Sequence, residues 1–220
     1  MHIPSRPIQA QRIRSFADAL AAESSNEGGY DRARWLYVPD TYCDYRYLLG
    51  VRGERTLLCL GANPSTAVPG GLDNTLKSVS RIAASNGFDS WMMLNVYAQR
   101  ATRPSDMDEA PDARLHAENL AAFRWMLAQG RARPVVWAAW GTVIEQRAYL
   151  PDCVGDLVEA GESSGAEWVC AGKRSKAGHP HHPLYLKKDE PLRPFDVRGY
   201  LAGWKVRAEA RAGRPQRCRR

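Results

Sequence analysis

Four apolar runs punctuate the middle of the chain, at 56–60 (TLLCL), 91–96 (WMMLNV), 134–141 (PVVWAAWG) and 167–171 (EWVCA). Each is apolar at nearly every position rather than at alternate ones, the pattern of strands buried on both faces. Segments with helical spacing lie between them. Leu76, Val79, Ile82 and Ala83 recur over 74–84, with Gly87 as a stop, and Leu115, Leu120, Phe123 and Leu127 recur over 114–127. A further helix is expected from Thr142. Upstream, Ile8, Ile13, Phe16 and Leu20 mark an amphipathic helix over 8–22. Residues 24–34 read as a polar loop, and 35–49 as edge strands or a covering segment. Strands alternating with helices build an α/β fold. The expectation is one domain over 1–206, a three-layer α/β/α sandwich whose central, mainly parallel sheet has about four strands.

In open parallel sheets, ligands bind in the crevice beyond the carboxyl ends of the strands. The first run is followed by GANPST, which supplies Gly61, Ala62, Asn63, Pro64 and Ser65. Glycine permits a sharp turn there, and proline fixes φ and removes a donor. The turn is either a capped connection or a device that projects the Asn63 amide into the crevice, to orient a water or a polar ligand. It is neither a P-loop nor a nucleophile elbow, since G-K-[ST] and G-x-S-x-G are both absent. Asn95 ends the second run, as a backbone bridge or as an amide matched to the edge of a nucleobase. Asp73 and Thr75, in GGLDNT, suit a helix N-cap, and Asp73 could alternatively reach the crevice as a base. Trp140 and Gly141 close the third run.

The fourth run leads into GKRSKAGHPHHPLY (172–185). Three histidines in four residues (His179, His181, His182) invite a metal reading, but no cysteine or carboxylate cluster stands at ligand spacing. No metal or other cofactor is expected. The prolines force an extended loop that aims side chains outward. Lys173, Arg174 and Lys176 suit phosphates, or form a solvated charged loop.

Composition narrows the setting. A chain of 220 residues, 44% hydrophobic and 25% charged, suits one domain with a real core. The net charge of +7 suggests a polyanion partner, yet residues 207–220 (RAEARAGRPQRCRR) carry +5 of it, reading as a disordered basic tail rather than a basic face. No run approaches the roughly 18 apolar residues of a membrane span. The first residues have no apolar core of a signal peptide. Five scattered cysteines without a C-x-x-C pair argue against a disulfide framework or a zinc or iron–sulfur site. A cytoplasmic protein with no membrane contact is expected.

Taken in order, GANPS, WMMLN, VVWAAWG and GHPHHP over 56–185 resemble the motifs of the uracil-DNA glycosylase superfamily. The residue after His-Pro, serine in that superfamily, is His181 here. The chain is also similar to an uncharacterised bacterial and phage domain family. That family is marked by an Arg-Tyr segment (Arg46-Tyr47), by Asn-Pro-Ser-Thr followed by Asp-x-Thr (Asn63 to Thr66, Asp73, Thr75), and by Gly-His-Pro-x-His-Pro-Leu-Tyr (178–185).

The superfamily resemblance implies a monomeric DNA glycosylase that hydrolyses the N-glycosidic bond of a flipped-out damaged, mismatched or modified base, a pyrimidine, in repair or in defence against modified foreign DNA. Under it Asn63, His179 and Asp73 are catalytic: Asn63 orients the water, and His179 stabilises the leaving base. Gly61, Ala62, Pro64, Ser65, Thr75, Asn95, Trp140 and His182 contact the substrate, Asn95 reading the base. Lys173, Arg174 and Lys176 hold DNA phosphates. The rival readings are a non-catalytic nucleic-acid or nucleotide-binding module using the same crevice, and an enzyme acting on nucleosides or nucleotide sugars.

Overall fold

The computed structural model describes residues 1–4, 7–25, 29–130 and 132–212, with the backbone alone at 25 and 205–212. The strands are β1 (Trp35–Val38), β2 (Leu48–Val51), β3 (Thr56–Gly61), β4 (Ser90–Asn95), β5 (Val135–Ala138), β6 (Glu167–Ala171) and β7 (Leu192–Pro194). The α-helices are α1 (Phe16–Ser25), α2 (Asn74–Ser85), α3 (Ala113–Leu127), α4 (Leu150–Ser163) and α5 (Val197–Ala212).

The four apolar runs form the parallel centre of the sheet, ordered β4-β3-β5-β6. Their apolar character follows from alternation into two cores. Leu58, Leu60, Met92, Leu94, Val136 and Ala138 point to one face, with residues of α1, α3, α4 and α5. Leu57, Cys59, Trp91, Met93, Trp137 and Ala139 point to the other, against Leu76, Val79, Ile82 and Ala83 of α2. Helices thus cover both faces.

The expected sheet of about four strands is corrected to seven. β1 and β2 extend it antiparallel beyond β4, and β7 pairs antiparallel with β6 at the far edge. β7 escaped notice because it is three residues, LRP, none of them buried. The expected helix over 8–22 is a 3-10 turn at Ala10–Arg12 followed by α1. Ser15 sets that start: its hydroxyl accepts from the Asp18 amide at 3.0 Å and donates to the Asp18 carboxylate at 2.7 Å. The helix expected from Thr142 is a 3-10 turn over Gly141–Glu145, and α4 begins only at Leu150. α5 runs to Ala212, six residues into the segment expected to be unstructured, as suits its Ala, Arg and Glu content. The rest of the tail, 213–220, lies outside the described residues.

The strand order decides where the site lies. From β3 the chain passes through α2 to β4 on one side, and the next strand, β5, pairs on the other side of β3. The connections therefore part beyond Gly61, a topological switch point of the kind where α/β sheets bind ligands.

Candidate functional site

A cleft of about 1210 Å³ opens at this switch point. Gly61, Ala62, Asn63 and Ser65 line it from the β3 turn, Asp73, Asn74 and Thr75 from the start of α2, and Gly141 and Thr142 from beyond β5. Lys173, Arg174, His179 and His182 line it from the loop after β6. Most of the residues anticipated from sequence therefore meet in one cavity. Four of them hold positions that change their chemistry.

Asn63 is half-buried, and its Nδ2 donates to the carbonyls of Ala101 at 2.8 Å and Pro64 at 3.1 Å. Two carbonyls leave no doubt which end of the amide faces them, because only the nitrogen can donate. The side chain is pinned by its donor end, and Oδ1 is left as an acceptor. Asp73 is the N-cap of α2, its Oδ1 accepting from the Leu76 amide at 2.9 Å. It is thus anchored as a cap while it borders the cleft.

His179 is fully buried. Its Nδ1 lies 2.8 Å from the Tyr200 hydroxyl and its Nε2 3.0 Å from Glu145 Oε1. The same hydroxyl accepts from Trp140 Nε1 at 3.1 Å, and the imidazole packs edge-on against Trp204 and Tyr200. Both ring nitrogens are engaged. His179 therefore ties the loop to α5, and the expected donor to a leaving base is not available there. Trp140 belongs to the same aromatic cluster with Phe195 and does not line the cleft.

His182 lines the same cleft. Its Nδ1 accepts from the Leu184 amide at 3.3 Å, capping a 3-10 turn over Pro183–Tyr185. An accepting Nδ1 assigns the ring proton to Nε2, a donor on a residue that lines the cleft. Burial pushes its pKa below the ordinary value, Asp73 pulling it back and His181 adding to the fall. The Gly141 backbone, at φ +64°, makes room: a Cβ there would stand 3.0 Å from His182 Cβ.

Asn95 is buried and lies behind Gly61, outside the cleft lining. A Cβ on Gly61 would stand 3.0 Å from Asn95 Nδ2, so the missing side chain keeps that amide next to the cleft floor. Oδ1 of Asn95 accepts from Arg46 Nη2 at 3.3 Å. Arg46 lines the cleft and is only 2% exposed. Sequence reasoning singled out Arg46 as a family mark without giving it a place in the site. Among the phosphate candidates, Lys173 and Arg174 are exposed on the rim, whereas Lys176 is exposed but outside the lining. Pro64 is buried and not in the lining.

Among the described residues, no group of three or more His, Cys, Asp or Glu could hold a metal ion. No helix among them is long and apolar enough to cross a membrane. No curated protein and no solved structure matches the chain. Residues 46–184, more than half of the chain and the span holding Arg46, Asn63, Asp73, His179 and His182, match the model of a family described as a protein of unknown function (DUF1643), and the chain belongs to that family.

Proposed function

We propose that the protein is a DNA glycosylase-like enzyme that hydrolyses the N-glycosidic bond of a flipped-out, damaged, mismatched or modified pyrimidine, in repair or in defence against modified foreign DNA. The observation that carries this reading is Asn63. Its amide nitrogen is spent on two backbone carbonyls, which leaves Oδ1, on a residue that lines the switch-point cleft, as the acceptor available to a ligand. Such an acceptor orients a water by taking a hydrogen bond from it, which aims a lone pair at C1′ of the sugar. An amide is a weak base, which suffices when the base departs ahead of the attack. The C1′–N bond breaks and the base leaves with the electron pair; the water oxygen bonds to C1′, and the proton that water loses passes through solvent to the departed base. In this reading the donor to that charge is the Nε2–H of His182, a residue that lines the cleft, rather than His179. Lys173 and Arg174 on the rim are suited to the DNA backbone. Extrusion of the base costs a few kcal/mol, least for a damaged or unpaired one.

A second reading, a non-catalytic nucleotide-binding module, is favoured by the engagement of both His179 nitrogens. One assay separates the two. Oligonucleotides carrying a panel of modified pyrimidines are incubated with the protein and cleaved with alkali at abasic sites. Strand breaks that depend on Asn63 support excision. Binding with no abasic product across the panel replaces it with the second reading.

A further inference from the structure

Behind Gly61 two arginines are buried side by side. Arg46 is 2% exposed and Arg100 is inaccessible. Each directs an Nη1 to the same carbonyl oxygen, that of Ala67, at 3.4 Å, so the two guanidinium groups converge on one atom. Arg100 also donates to the Ser65 carbonyl and, through Nη2, to the Tyr37 hydroxyl at 2.9 Å, and it lies over the Tyr42 ring at 4.4 Å. Among the described residues the Arg46 guanidinium donates to the Ala67 carbonyl and to Asn95 Oδ1 at 3.3 Å alone.

Among the described residues, neither arginine forms an ion pair with a carboxylate. Two like charges out of water, with no carboxylate in contact and Asp73 acting on Arg46 only from a distance, is a costly arrangement. The hydrogen-bond balance is also incomplete. The Nε atoms of Arg46 and Arg100 and the Nδ2 of Asn95 are buried donors with no acceptor among the described residues. Buried orphan donors of this kind call for a partner, which a water or a bound anion can supply. Burial, and then Arg100, push the Arg46 pKa down to about 9, so the group is still a cation at neutral pH.

Only Arg46 of the pair lines the cleft, and its surroundings are rich in donors. The hydroxyl-bearing Thr66 and Thr75 line the same cavity, with Ser65, whose hydroxyl donates to Thr102 at 3.4 Å, and the first turn of the twelve-residue helix α2. Asp73 opposes an anion, but it is one carboxylate, partly engaged as the α2 cap. Lys173 and Arg174 at the rim add to the positive side. A guanidinium fork beside hydroxyls matches a tetrahedral oxyanion better than a spherical ion.

We infer that the floor of the cleft, at Arg46 with Asn95 and Arg100 behind it, is a binding subsite for a phosphate group, carried by a small phosphomonoester or as inorganic phosphate. The subsite stands apart from the excision chemistry, because it needs no glycosidic bond to be cut.

The test titrates the full-length protein, dialysed free of phosphate, with inorganic phosphate, thymidine 5′-monophosphate and thymidine, by calorimetry and by thermal melting. Phosphate and the monophosphate are expected to bind, and to raise the melting temperature by roughly 5–10 °C at 100 times Kd. Thymidine is expected to do neither. A monophosphate at least tenfold tighter than phosphate marks the ligand as a nucleotide; equal affinities mark it as free phosphate. Arg46→Met is expected to abolish the response while melting no lower than the wild type in phosphate-free buffer, since it removes an unpaired buried charge. Lys173→Ala/Arg174→Ala is expected to retain phosphate binding within about threefold, because exposed charges are screened. Thymidine binding as tightly as its monophosphate, or wild-type protein binding no phosphate at 10 mM (about 2.7 kcal/mol at most), overturns the subsite. So does a response that survives Arg46→Met and is lost in the Lys173/Arg174 variant. Since calorimetry reads binding alone, a failure of the subsite and a failure to excise bases are told apart.

Discussion

His179 Nδ1 lies 2.8 Å from the Tyr200 hydroxyl, which also accepts from Trp140 Nε1 at 3.1 Å. One phenol thereby joins the end of the third apolar run, the closing loop and α5. Removing the imidazole leaves a cavity and releases the loop from α5, a loss of about 2–4 kcal/mol. Tyr200→Phe leaves two buried donors or acceptors unpaired, at about 1–3 kcal/mol. Guanidinium unfolding of His179→Ala, Tyr200→Phe and the wild type reads both values. A His179→Ala variant as stable as the wild type would leave its role to be sought in the cleft.

Asn63→Ala is expected to lower single-turnover excision by about 10²-fold or more, with DNA affinity within a few-fold, since it removes the acceptor that orients the water. Asn63→Asp separates the two ends of the side chain. It keeps an acceptor in the cleft but turns a carboxylate oxygen toward the carbonyls of Ala101 and Pro64, where a donor is required. Its melting point is expected to fall, by an amount equal to about 1–3 kcal/mol. Unchanged melting of Asn63→Asp would show that the amide is not pinned.

His182 gives the protein a dependence on acid. Its folded-state pKa is depressed, chiefly by burial, so the neutral ring is favoured in the native state. In the unfolded chain the ring titrates at about 6.5. Between those values the unfolded state binds more protons, and stability rises with pH. The contribution is complete above about pH 6.5 and is lost as pH falls through 6.5 toward the lower native value. The melting temperature of His182→Gln is therefore expected to decline less than that of the wild type between pH 6.5 and 5. Parallel curves would show that the ring is not buried neutral.

Removal of residues 213–220, which hold four arginines and no acid, leaves α5 as far as Ala212 and takes away +4. If these arginines contact DNA, each phosphate neutralised contributes roughly 0.9 to the slope of log K against log salt. The truncated protein is expected to bind DNA more weakly and with a flatter slope. Identical slopes would place the phosphate contacts elsewhere, on Lys173 and Arg174.

The sequence by itself determined the parallel centre of the sheet. Runs such as TLLCL and WMMLNV must be covered on both faces, and the spacing of Leu76, Val79, Ile82 and Ala83 supplies one of the covers. The strand-end turns follow from the same rhythm, which is why Asn63, Asp73 and the loop at 172–185 meet where expected. Residues 35–49 were legible as edge strands or a cover, but the β7 edge and the direction of pairing were beyond its reach, since LRP has no apolar signature and pairing direction is not written in composition. That direction matters most for Arg46. Antiparallel pairing of β2 with β4, Leu49 opposite Met93, carries the residues before β2 toward the carboxyl end of β4. There Arg46 meets Asn95 from 49 positions away. The tertiary structure alone also chose between histidines three apart in an extended loop. α5 offers a hydroxyl to His179 and draws it into the core, while His182 is left to cap its own turn at the cleft. Local pattern fixes which segments are buried; only the packing of distant segments settles which polar atoms find partners and which are left for a ligand.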